Sequence, residues 1–241
     1  MSKRKICLDA GHYGKYNRSP VVPAYYESDM NWKLHLLLKK YLEGYGFEVV
    51  TTRPEQAKDL ALYNRGRTAA GCDLFISVHS NAAYSSGDPA SKKQANEKVD
   101  RVDIYAPLSG KCHDLAKQLA DRIASVMGTD QGGYVKTRKG SSGQEYYGVL
   151  RGSASVGVPG LLVEHSFHTN TRAAKWLLND SNLDNLAKAE AEIIADYFGM
   201  ETEPKTIYRV QIGAFSVKAN AEKRLAEAKK AGFTDAYITQ K

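Results

Sequence analysis

Lys5-Ile6-Cys7-Leu8-Asp9-Ala10-Gly11-His12 reads as a short buried strand that breaks at Asp9, Ala10 and Gly11 and sets a histidine just past its end. Two later runs repeat the layout. Asp73-Leu74-Phe75-Ile76-Ser77-Val78-His79-Ser80-Asn81 carries a second histidine, and Gly160-Leu161-Leu162-Val163-Glu164-His165 ends on a carboxylate. Helical periodicities separate these runs, so the pattern predicts an α/β fold: a mostly parallel twisted sheet with helices on both faces. In such sheets the crevice outside the carboxyl ends of the strands is where ligands bind. His12, His79 and Glu164 are therefore expected to meet there.

Outward from the first strand, a polar, turn-rich loop runs to Tyr26. Met30, Leu34, Leu37, Leu38, Tyr41 and Tyr45 then form a helical stripe, with Ser28 as the expected N-cap and Gly44 and Gly46 at the end. This puts Glu27 at the helix entrance, within reach of the first strand's end. Phe47 to Thr52 and Val99 to Ala106 read as strands, and Asp59 to Gly71 as a helix. Leu115, Leu119, Ile123 and Val126 stripe another helix, as do Thr171 to Leu178 and Leu183 to Phe198. Ser80 to Lys98 is a long polar loop of the length that is usually functional or disordered. Gly128 to Gly143 reads as irregular, and Tyr146 to Leu150 as a short strand. His35 and His113, on helices, are expected at the surface.

The 241 residues suffice for one full core and a small appendage. A net charge of +7 suits an anionic partner such as a wall polymer, a membrane surface or nucleic acid. Nucleic acid is disfavoured because no basic-aromatic cluster or recognition motif accompanies the charge. No run of ~18 apolar residues exists to insert in a bilayer. Cys7, Cys72 and Cys112 are odd in number and far apart, which indicates neither a disulfide framework nor a zinc knuckle. The apolar run after Met1–Lys5 ends at Asp9, too short for a signal peptide. Synthesis in the cytoplasm without a secretion signal is the expectation.

Two histidines and one glutamate from separate elements, with one position left open, suit a catalytic Zn²⁺ site. A further carboxylate, Glu164, can then take a proton from water. The gaps of 15 and 52 residues separating His12, Glu27 and His79 match no short metal-binding rule. On spacing alone, a metal centre and ordinary structural roles both stay open.

Four motifs add a resemblance. Ile6–His12, Glu27-Ser28-Asp29-Met30-Asn31, Ser77–Ala82 and Leu161–Asn170, in that order, resemble the zinc-dependent N-acetylmuramoyl-L-alanine amidases of the amidase-3 family. The resemblance runs from about Lys3 to Phe198. It implies zinc held by His12, Glu27 and His79, with Glu164 as the catalytic carboxylate. The implied substrate is peptidoglycan, cut between the lactyl group of N-acetylmuramic acid and L-alanine. Tyr13 precedes Gly14 where the family continues with glycine, and His165 follows Glu164 where it has a small residue; both bear on the pocket rim. Asn81 and Arg151 are expected to flank the cleft and bind peptide carboxylate or acetamido groups. His165 is expected to take a substrate or supporting role, or else to be structural, and His168 in the next turn is read the same way. An endolysin-type enzyme that acts on the wall after release is the expectation; the alternative is a non-catalytic peptidoglycan-binding protein on the same fold.

The expected division is a catalytic domain at 1–199, a polar linker at 200–206 and a small β-α-β unit at 207–241. Tyr208–Phe215 and Asn220–Leu225 of that unit resemble a SPOR peptidoglycan-binding module. The resemblance covers one of the two β-α-β halves from which such modules are built. Its helix is striped by Ala221, Leu225 and Ala228. A unit this small needs help to bury its apolar surface. Docking on the larger domain, a second copy forming a homodimer, or a further half outside this sequence would each supply it, and the homodimer is favoured.

Overall fold

The computed structural model describes residues 3–83, 94–200, 211–234 and 236–239. The chain divides into two compact units, Met1–Thr202 and Glu203–Lys241.

The first unit is built on a six-stranded sheet of β1 (Lys5–Ala10), β2 (Glu48–Thr51), β3 (Leu74–Asn81), β4 (Val102–Tyr105), β5 (Gly133–Lys136) and β6 (Gly160–Phe167), ordered β2-β1-β3-β6-β4-β5. β2, β1, β3 and β6 run parallel. β4 is antiparallel to β6, and β5 is parallel to β4. The expected mostly parallel α/β sheet is thus present, with two strands turned against the rest.

Alternation along the strands feeds two cores. Ile6, Leu8, Leu74, Ile76, Leu161 and Val163 face the larger one, packed by α1 (Glu27–Gly44), α3 (His113–Met127) and α6 (Asp180–Tyr197). Cys7, Phe75 and Leu162 face the smaller one, with Val149 and Leu150 of α4 (Gly148–Ser155). α2 (Leu62–Arg67) packs on α4, and α5 (Thr171–Leu177) follows β6. Asp9, Ser77, His79 and Glu164 continue the smaller-core face toward the strand ends, where polar groups replace apolar ones.

Several expectations are corrected. Residues 146–150 are not a strand, because from Gly148 the chain is helical. α2 and α4 meet through glycines: a Cβ on Gly66 would lie 2.0 Å from the Val149 carbonyl, and one on Gly152 would lie 2.1 Å from that of Tyr63. The stretch read as irregular holds β5. α1 begins at Glu27 with Tyr26 as its N-cap, while the Ser28 hydroxyl accepts from the Tyr16 N–H (2.8 Å). His35 is buried, and burial pushes its imidazole down to about 4. Residues 84–93 of the polar loop lie outside the described residues.

In the second unit, α7 (Lys218–Lys230) is the expected helix, and Ala228 is its buried residue. Most of the 200–206 linker and Tyr208–Val210 of the expected first strand lie outside the described residues. Gln211, Ile212 and Ala236–Ile238 are not in strands. Ile212, Phe215, Val217, Phe233 and Tyr237 are exposed, so among the described residues these side chains are not packed as two strands on α7 would pack them. No helix among the described residues is long and apolar enough to cross a membrane.

Candidate active site

β1 ends where its partner β3 still runs. Gly11 extends the ladder by donating its N–H to the Val78 carbonyl (3.0 Å). A Cβ on Gly11 would stand 2.2–2.6 Å from three ring atoms of His79, so only glycine lets that imidazole lie across the end of β1. His12 then adopts φ 62°, in the left-handed region that costs a non-glycine residue roughly 1–2 kcal/mol. Its surroundings hold it there. The Ala10 carbonyl accepts from Arg53 Nη2 (2.6 Å) and Arg65 Nη1 (3.0 Å), and the Gly11 carbonyl accepts from Asn31 Nδ2 (3.1 Å). The His12 ring stacks on Tyr16, with centroids 4.8 Å apart.

Glu27 opens α1 and is 2% exposed. The loop before it is laced to the helix entrance, since the Glu27 N–H donates to the Asn17 carbonyl (3.0 Å). Glu27 Oε1 lies 2.9 Å from His79 Nδ1 and accepts from the Ser80 N–H (3.2 Å). Its Oε2 lies 3.2 Å from His12 Nε2 and accepts from Asn17 Nδ2 (2.6 Å). Burial alone would raise this carboxyl. The charges of His12 and His79 and their hydrogen bonds overcome that, holding it well below the ordinary carboxylate range. One donor atom from each of His12, Glu27 and His79 lies within 4.8 Å of the other two. Two imidazole nitrogens and a carboxylate oxygen form the donor set that suits a divalent zinc ion.

The three border a cleft of about 900 Å³ that also takes in Glu164, Asn81, His168 and Tyr147. Glu164 is the register partner of His79 across β3 and β6, so both side chains leave the same face of the sheet. Burial, then a hydrogen bond with Tyr105, raises the Tyr147 phenol, which keeps it an O–H donor. The sheet thus presents a candidate metal cluster beside a carboxylate, which suits hydrolysis of a carbonyl compound.

Residues 6–196 match the family model of the N-acetylmuramoyl-L-alanine amidases. The chain belongs to that family. Its function is that of a peptidoglycan amidase. Residues 204–241 match the SPOR domain. The N-acetylmuramoyl-L-alanine amidase CwlM of Bacillus licheniformis is 26% identical over 97% of this chain and 84% of its own. Among solved structures, N-acetylmuramoyl-L-alanine amidase AmiC2 of Nostoc punctiforme shares the fold at a TM-score of 0.67 and 22% identity, over 82% of this chain and 98% of that one. Cwp6 from Clostridium difficile matches at a TM-score of 0.64 and 25% identity over 81% of this chain, but over 29% of its own length.

Within the amidase, the residues expected to bind substrate divide. Asn81 lines the cleft, its Oδ1 accepting from the Ala82 N–H (2.9 Å). Arg151 does not line it: Nη1 donates to the Glu145 and Tyr146 carbonyls (2.9 and 2.7 Å), bracing the turn before α4. His165 is fully buried on the opposite face from Glu164, because neighbouring strand residues point opposite ways. Its Nδ1 lies 2.9 Å from the His79 carbonyl and its Nε2 lies 3.0 Å from Glu190 Oε1 of α6, a supporting position under the sheet.

Sequence reasoning gave no role to Asn17, Tyr25, Ser80, Arg53 or Arg65. Ser80, adjacent to His79, was the available signal. The others reach the site through loops and long side chains that no periodicity reports.

Proposed function

We propose that His12, Glu27 and His79 hold a zinc ion and that Glu164 is the catalytic carboxylate of the amidase. The observation that carries this reading is the convergence of the two histidines and Glu27 within 4.8 Å, in one cleft with Glu164 on the register partner of His79. Zinc, when bound, polarises a carbonyl and makes water a nucleophile at neutral pH. The chain's own groups do the rest. Asn17 Nδ2 and the Ser80 N–H hold the two oxygens of Glu27, fixing it as an ionised carboxylate between the histidines. Glu164 takes a proton from water at the amide carbon. Asn81, with Oδ1 turned to the main chain, offers its amide N–H to a carbonyl or acetamido oxygen of the substrate.

The SPOR match supports residues 207–241 as a second contact with peptidoglycan, joined by a linker to a catalytic domain at 1–199. A Glu164→Gln variant tests the division of labour, since it keeps the shape but cannot accept a proton. Zinc content should match wild type while turnover on purified walls falls roughly 10²–10⁴-fold. Loss of zinc would make Glu164 a ligand, and near-normal turnover would put the base elsewhere.

A further inference from the structure

We infer that His168 is a second proton-transfer residue of the cleft, supplying the proton to the leaving nitrogen while Glu164 accepts one from water. The inference rests on the amidase reading of the site.

His168 follows β6, is 4% exposed and lines the same cleft as Glu164 and the His12–Glu27–His79 cluster. Its main chain is held at both ends: the N–H donates to the Asn81 carbonyl (2.8 Å), and the carbonyl accepts from Ser19 Oγ (2.6 Å). Its ring is held too. Nδ1 lies 3.1 Å from the Ser80 carbonyl and 3.0 Å from Ser80 Oγ, and Ser80 Oγ accepts from the Tyr25 hydroxyl (2.7 Å). Tyr25 is fully buried and stacks against the imidazole at 6.0 Å. Burial keeps its phenol raised well above the usual range, hence a donor.

The Ser80 carbonyl oxygen only accepts, so the tautomer that pairs with it carries its proton on Nδ1. Nε2 is then the nitrogen that gains and loses a proton. Ser80 also donates its N–H to Glu27 Oε1, so one residue fixes both the buried carboxylate and the histidine.

Amide hydrolysis requires two proton movements, because an alkylamine leaves only once its nitrogen is protonated. Water oxygen bonds to the lactyl carbonyl carbon as its proton passes to Glu164. The carbon–nitrogen bond breaks as the Nε2 proton of His168 passes to the alanine nitrogen. The products are the lactyl carboxylic acid and the alanine amine, and transfer of the Glu164 proton back to His168 restores both groups. A histidine with one nitrogen fixed is suited to the second movement.

The test compares wild type with His168→Gln on two soluble muramoyl peptides, one with L-alanine at the leaving position and one with 3,3,3-trifluoroalanine, a far less basic amine of similar shape. With L-alanine, kcat should fall roughly 10²–10³-fold. KM, zinc content and melting temperature should stay close to wild type. With trifluoroalanine the loss should be at least tenfold smaller. Equal losses on both substrates, or a kcat within about threefold of wild type, would overturn the inference. If His168→Gln folds poorly, His168→Asn, which can still donate to the Ser80 carbonyl, is judged by the same comparison. Failure of the wild type to release an alanine amine would contradict the amidase reading instead.

Discussion

Gly11 shows how one residue's missing side chain makes room for the site. The His79 ring occupies the volume in which any Cβ at position 11 would sit, and Gly11 also makes the last ladder bond of β1. Gly11→Ala should push the imidazole away from Glu27. Overpacking of this kind costs about 1–3 kcal/mol. Zinc affinity, measured by chelator competition, should fall at least tenfold; wild-type affinity would mean that the loop yields without moving His79. At this scale the sequence is readable where a side chain's position follows from a strand end. His12, His79 and Glu164 stand on such ends, and Glu27 opens the helix that follows. Arg151 is harder to place from sequence, because a long side chain reaches wherever carbonyls await it, and here those its Nη1 meets belong to the turn it braces. His168 carries no such signal, since what distinguishes it is Ser80, Tyr25 and Ser19, all distant in sequence.

Element by element, the ends of β1 and β3 are held by a buried polar layer between the sheet and α2. Asp9 accepts from Thr52 Oγ1 (2.6 Å) and Ser77 Oγ (2.7 Å), with Arg65 Nη1 3.5 Å away. Arg65 further reaches the Ala10 and Leu60 carbonyls, and Asp59. Burial, then the neighbouring charge of Arg65, lowers the Arg53 guanidinium. Arg65→Met should take from buried Asp9 the guanidinium 3.5 Å away, costing at most about 3–5 kcal/mol because Arg53 still faces it. Denaturant unfolding measures that loss, and Asp9→Asn in the same chain should recover part of it through the coupling of contacting residues. A loss under about 1 kcal/mol, or full additivity, would show that the pair does not hold the strand end. Strands β1, β3 and β6 are legible as apolar runs. The reversal of β4 and β5 is not, because alternation is the same whichever way a strand points. Nor is α4, whose helix depends on Gly66 and Gly152 letting two backbones touch.

Across the whole molecule, the amidase unit accounts for itself: one sheet, two cores, and the polar ends of its strands gathered at one cleft. In the second unit the helix is legible, and among the described residues Gln211, Ile212 and Ala236–Ile238 are not in strands, since a strand needs a partner. That unit's SPOR match and the amidase match both point to peptidoglycan. The most direct test of the central claim is a paired measurement on the full chain: metal content by mass spectrometry, and the new end groups released from purified walls. Close to one zinc per chain and new N-terminal alanine are expected, with both lost together in His79→Ala. Wall lysis by metal-free protein, or the release of reducing sugar ends in place of alanine amines, would contradict the account.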